Sequence, residues 1–187
     1  SLILLLTAAI WGMAFVSQSK GMDYMHPFTF NGVRSLIGAA SILVYILISR
    51  KIAGDKAAPL DWKLNVKAGL LCGIFLTIAS TLQQFGIKYT SVGKAGFITT
   101  LYIIFVPMFG IFLKKKVAPV VWAAAVMAAV GMYLLCMTES LRLGAGDIMV
   151  FLCAIAFAIQ IMTVDHYAAR IDGAVVSCIQ FTVCGVV

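Results

Sequence analysis

The chain has 187 residues, 63% apolar and 11% charged, with a formal net charge of +7. Soluble domains run at roughly 45–50% apolar and about 25% charged residues, and a fold of this size leaves too much surface exposed to hide such a surplus. A water-soluble fold is therefore excluded, and the basic excess does not point to nucleic acid, because most of it gathers in two short loops between apolar runs.

Taken in chain order, the apolar runs predict an all-α, polytopic membrane helix bundle with six full spans. They cover about Leu2–Ser19, Pro27–Ser49, Ala68–Ile87, Ala95–Leu113, Val117–Met137 and Ile148–Val164, each 17 to 23 residues long, near the length a helix needs to cross a bilayer. A closed barrel is excluded, because its strands would show residue-by-residue alternation instead of continuous apolar runs. A seventh run begins near Ala174 and holds 14 residues, about 21 Å of helix against a core of roughly 30 Å. Ser1 is not an initiator methionine, and the opening "LILLLTAAIWG" has neither a basic leader nor a cleavage site. The expectation is a sequence cut at both ends.

Polar residues inside these spans carry the functional signal, because they must avoid hydrocarbon. Span one has Thr7, Trp11, Ala14 and Gln18 on one side. Span two sets Asn31, Arg34, Gly38, Ser41 and Tyr45 at spacings of 3, 4, 3 and 4, which share one helical face; the stripe is expected to point into the bundle. Arg34 lies seven residues past Pro27, about 10 Å into the span. It either snorkels to headgroups or pairs structurally, or it lines a pathway and offers charge to an anionic group.

Span three repeats the spacing with Gly73, Thr77, Ser80 and Gln84, flanked by Thr81 and Gln83. Span four carries Thr99, Thr100 and Tyr102, and Pro107 removes a backbone hydrogen bond, so it and Gly96 are candidate hinges. Lys94 at the start of that span is either an interfacial anchor or, with the positive helix end, an attractor for a carboxylate. Span five offers little beyond Tyr133 and Thr138 and reads as an outer wall or a subunit contact, which leaves room for a homodimer. Span six contributes Gln160 and Thr163.

Together Trp11, Asn31, Arg34, Thr77, Ser80, Gln83, Gln84, Lys94, Thr99, Thr100, Tyr102 and Gln160 are the candidate lining of a hydrated cavity. The plainer reading is helix packing, which small residues at four-residue spacing, such as Gly69/Gly73 and Ala154/Ala158, commonly provide. Neither histidine has ligand spacing, the cysteines Cys72, Cys136, Cys153, Cys178 and Cys184 read as small packing residues, and no metal or other cofactor is expected. No Asp or Glu falls within an expected span, which argues against an intramembrane enzyme and leaves no proton relay in the spans.

An internal echo places "AAIWGMAFVSQ" (Ala8–Gln18) over "CAIAFAIQIMT" (Cys153–Thr163), and then, with one extra residue, Arg34 opposite Gln180. Five spans separate the copies, so the second would cross the membrane inverted. The stretches "AAIWGMAFV", "HPFTFNGVRSLIGA", "QQFGIKYTSVGKAGFITTLYIIFVPMFGIFLKKK" and "AIAFAIQIMTVDHYAARIDG" resemble the EamA family of the drug/metabolite transporter superfamily. The resemblance implies ten spans in two inverted five-helix repeats, with residues 1–138 as the first repeat and 146–187 as the start of the second. It also implies a secondary transporter of small metabolites, commonly an exporter of amino acids or related compounds, with a central cavity between repeats. A scaffolding membrane subunit without transport is the competing class, and polar stripes on four or more helices argue against it.

Orientation follows from the cations. Arg50, Lys51, Lys56, Lys63, Lys67 and Lys114–Lys116 lie on one side, against Lys20, Lys88, Lys94 and Arg142 on the other, which predicts a cytoplasmic N-terminus in the inner (plasma) membrane. In a cysteine-free background, Lys63→Cys should resist an impermeant maleimide in intact cells while Lys88→Cys reacts; the opposite pattern overturns the orientation.

Overall fold

The computed structural model describes residues 2–54, 60–113, 117–136 and 144–187. Lys56, Lys114, Lys115, Lys116, Met137, Thr138 and Arg142, which figured in the reading of loops and span ends, lie outside the described residues. The chain forms helices α1 (Leu2–Gly21), α2 (Pro27–Ala53), α3 (Trp62–Tyr89), α4 (Val92–Thr100), α5 (Tyr102–Phe112), α6 (Pro119–Cys136), α7 (Ala145–Tyr167) and α8 (Gly173–Val186), with a short 3-10 turn at Ala168–Arg170. Among the described residues there is no strand. Five segments, counting α4 and α5 as one, are long and apolar enough to cross a membrane.

Local chemistry sets the helix starts. Pro27 opens α2, where its missing N–H removes nothing. Asp61 caps α3 by accepting from the Leu64 N–H at 3.1 Å, and Ser91 caps α4 by accepting from the Lys94 N–H at 3.2 Å. Asp172 caps α8 by accepting from Ala174 N–H at 3.0 Å. The fourth expected span is not one continuous helix. It breaks at Leu101, six residues before Pro107, in a tighter bond from Leu101 N–H to Ile98 O at 3.2 Å. In the residue just before it, the Thr100 hydroxyl donates to Gly96 O at 2.7 Å.

The packing inverts that of a soluble protein. Long apolar side chains such as Leu4, Leu47, Ile74 and Met127 are exposed, while Ala68, Cys72, Ala79, Ala154 and Ala158 are wholly buried. Lipid supplies no hydrophobic drive between helices, so association rests on close contact and internal hydrogen bonds.

α3 is the central rod. It runs antiparallel to α7, with Gly86 against Val150 and Gly146 at one end and Ala79 with Cys153 and Ala156 in the middle. It runs parallel to α8, with Gly69 beneath Ile179 and Gly73 beneath Val183. α2 lies antiparallel to α8, with Asn31 near Cys184 and Ala39 near Cys178. α1 and α6 sit at the edges, largely exposed.

The glycine contacts set the spacing between rods. A Cβ added at Gly146 would lie 2.7 Å from the Tyr89 carbonyl carbon and 2.8 Å from Gly86 O, both main chain and unable to yield without parting α3 and α7. Gly131 meets nothing within 4 Å. Gly146→Ala should therefore destabilise by about 1–3 kcal/mol and lower the melting midpoint by several degrees, while Gly131→Ala leaves it unchanged or raised; equal midpoints would refute the tight crossing.

Candidate functional site

Two groups of polar side chains form inside the bundle, and they differ in kind. The first is a closed seam between α2, α3 and α8. Asn31 Nδ2 donates to Ser80 Oγ at 3.0 Å and to Cys184 Sγ at 3.6 Å, and the Ser35 hydroxyl donates to the same sulfur at 3.4 Å. Ser80 in turn donates to Leu76 O at 2.7 Å. Arg34 Nη2 donates to Asn31 Oδ1 at 2.9 Å, so both ends of that amide are engaged.

The face of α2 that is buried is Pro27, Asn31, Ser35 and Ala39. Of the expected stripe only Asn31 is fully buried; Arg34, Ser41 and Tyr45 are exposed and Gly38 is half-buried. The reason is α8: it brings Cys184 and Gly185 against Asn31, Ser35 and Gly32, and this fixes the rotation of α2. Arg34 then sits on the exposed side, its guanidinium 5.8 Å from the Phe30 ring centre.

The second group is open. α1, α3, the α4–α5 break and α7 enclose a cavity of about 230 Å³. α1 supplies Trp11, Phe15 and Gln18, and α3 supplies Leu76 and Gln83. Thr99, Thr100 and Tyr102 come from either side of the Leu101 break, and Phe157, Gln160 and Ile161 from α7.

Trp11 and Tyr102 have ring centres 6.4 Å apart, and Tyr102 and Phe157 6.5 Å, so three aromatic rings follow one another along the wall. Gln83 Nε2 donates to Thr99 Oγ1 at 3.3 Å, and Gln160 Nε2 to Gln180 Oε1 at 3.0 Å. A wider hollow of about 530 Å³ beside Leu71, Phe109, Met162 and His166 has few polar groups, and the Thr163 hydroxyl there turns back to Ile159 O at 2.8 Å.

The structure thus gathers Trp11, Gln83, Thr99, Thr100, Tyr102 and Gln160 in one cavity. Asn31 and Ser80 belong to the seam. Thr77 bonds Gly73 O at 2.8 Å within its own helix, and Gln84 is fully buried with neither amide atom partnered. Gly96 and Pro107, the candidate hinges, lie five residues before and six after the break.

Lys94 stands at the end of the bundle, its ammonium 3.7 Å from Asp147. Asp147 corrects the expectation that no acid enters a span: α7 begins before Ile148, and this carboxylate is buried in its first turn. It accepts from the Thr90 hydroxyl and from the Gly144 N–H at 2.9 Å, tying α3, α4 and α7 together. Its bond to the Gly144 N–H is half of a capping box; glycine has no side chain for the other half, so the sequence carried no full signal. Gln18, Phe15 and Phe157 also line the cavity without having been singled out as candidate lining; Phe157 carried no polar signal at all.

Among the described residues no group of three or more His, Cys, Asp or Glu side chains could hold a metal. The sequence profile of the EamA-like transporter family matches residues 1–137. A relative described as an uncharacterized transporter, from Archaeoglobus fulgidus, is 31% identical over 171 residues, covering 88% of this chain and 48% of its own length. The chain thus spans about half the length of that relative. No solved structure matches the chain.

The seam predicts measurable coupling. A double-mutant cycle of Asn31→Ala and Ser80→Ala should return roughly 0.6 kcal/mol, and at most about 1.7, the range for hydrogen bonds between membrane helices; additive effects would mean that the bond contributes nothing.

Proposed function

The chain belongs to the EamA-like transporter family, and from that premise we propose a secondary transporter of small metabolites that works by alternating access through a central cavity. It is a multi-pass membrane protein whose partners are a small-molecule solute and the lipid bilayer. The observation that carries the reading is the cavity of about 230 Å³ in which amide and hydroxyl groups from α1, α3, α4 and α7 face an aromatic wall. A bundle that needed only glue would leave no room beside such groups, as in the Asn31–Ser80–Cys184 seam; here the Gln83–Thr99 and Gln160–Gln180 pairs border open volume and Gln18 Oε1 has no partner.

In this reading Gln83, Thr99 and Gln160 exchange hydrogen bonds with the solute, and Trp11 and Tyr102 cover its apolar part. The Leu101 break, with Gly96 before it and Pro107 after, lets α4 and α5 tilt separately. The protein acts as a carrier and not as an enzyme. Residues 1–138 form the first inverted repeat and 146–187 begin the second; α8, the counterpart of α2 in that scheme, runs antiparallel to it, which supports the assignment. Export of amino acids or related metabolites, residence in the inner membrane, and homodimer formation through the exposed α6 complete the proposal.

Flux of labelled amino acids and nucleobases into proteoliposomes holding the full-length protein tests it. Tyr102→Ala and Gln83→Leu should each lower flux by about fivefold to a hundredfold, as expected when roughly 1–3 kcal/mol of contact is lost, with the protein still folded. No flux of any solute by the wild type would leave a scaffolding role.

A further inference from the structure

We propose that the wall around Gln18 receives the uncharged, flat part of a solute that carries an N–H or O–H donor, typified by a nitrogen heteroaromatic of one or two rings. This rests on the transporter reading and names the substrate chemistry of its cavity. Gln18 is only 5% exposed, it lines the cavity, and its Oε1 has no hydrogen-bond partner. A desolvated amide oxygen without a donor is unfavourable, and a donor on a bound solute removes that penalty. The amides nearby are already engaged: Gln83 donates to Thr99, and Gln160 to Gln180.

Charge excludes as much as the orphan selects. Among the described residues that line the cavity none is ionisable at neutral pH. Arg34 is bonded to Asn31, and Lys94 pairs with Asp147 at the bundle end. A carboxylate or ammonium brought into this wall would lose water without gaining a counter-charge, so within the proposed export of amino acids or related metabolites this wall selects uncharged compounds over zwitterionic amino acids.

Shape narrows the class further. Trp11, Tyr102 and Phe157 offer ring faces in succession at 6.4 and 6.5 Å, the spacing at which aromatic groups attract. A volume of about 230 Å³ is below the roughly 300–1,000 Å³ of sites for drug-sized ligands and suits one ring or a fused pair.

Binding of benzimidazole and 1-methylbenzimidazole to the detergent-solubilised full chain tests the inference, read from Trp11 fluorescence with every other tryptophan replaced by phenylalanine. Benzimidazole should quench saturably with a Kd at least about tenfold below that of the methylated analogue, which lacks the donor. Gln18→Leu should erase the difference, and benzimidazole-5-carboxylate should bind more weakly than benzimidazole.

Equal affinity of the first two probes overturns the inference from the wild type alone, should Gln18→Leu fail to fold. A difference that persists in Gln18→Leu, or tighter binding of the carboxylate, also overturns it. The outcome is separate from the transport reading: flux of another solute that Gln18→Leu leaves untouched sinks this inference and keeps the carrier, whereas donor-selective binding without any flux does the reverse.

Discussion

The structure depends on how closely α3 approaches α7 and α8. In a bilayer apolar side chains gain nothing by turning from lipid to one another, so helices stay together only where their surfaces meet closely or bond directly. Gly69, Gly73, Gly86 and Gly146 provide the first, with neighbours placed where a methyl group would collide. The three rods so joined carry the seam on one side and leave room for the cavity on the other. That is why polar groups on α3 have two fates: Ser80 is sealed between helices, and Gln83, less than one turn on, opens to the aromatic wall.

Much of this was legible in the amino acids. Apolar runs mark the spans because nothing else survives in hydrocarbon, and α2 begins at the expected Pro27. Trp11, Gln83, Thr99, Thr100, Tyr102 and Gln160 stand out as polar or amphipathic groups in such runs, and they come together in space. The rotation of α2 was not legible. Asn31 belongs to two overlapping stripes, one through Arg34 and Gly38 and one through Ser35 and Ala39, and periodicity alone ranks the more polar one first. Only the arrival of Cys184 on α8 decides for the second. Asp147 escaped because a span boundary drawn three residues late, at Ile148 instead of Ala145, turns a buried acid into a loop residue. The break at Leu101 escaped because the conspicuous signal, Pro107, lies six residues beyond it, and the Thr100 back-bond to Gly96 O is of a kind that leaves α3 and α7 continuous.

Membership of the EamA-like transporter family and the internal chemistry of the cavity speak about different things. Family membership concerns the kind of protein. The cavity concerns what it could hold, through amides without charge and rings without a counter-ion. Nothing in the relative's description names a solute, so any selectivity has to be read from the side chains themselves.

At one end of α7 Asp147 meets Thr90 and Lys94, and at the other Asp172, beyond the short turn that follows it, donates its N–H to Asn65 and lies 3.6 Å from Arg50. The helix is mounted like a beam on two supports, both standing on α3 and its neighbours. A beam so fixed resists sliding and tipping as a whole, so strain applied near Phe157 and Gln160 is passed to its bearings. The Asp147 bearing sits on α4, directly above the Leu101 break. The middle of α7 is thereby tied, through the Asp147–Lys94 pair, to the helix that ends at the Leu101 break.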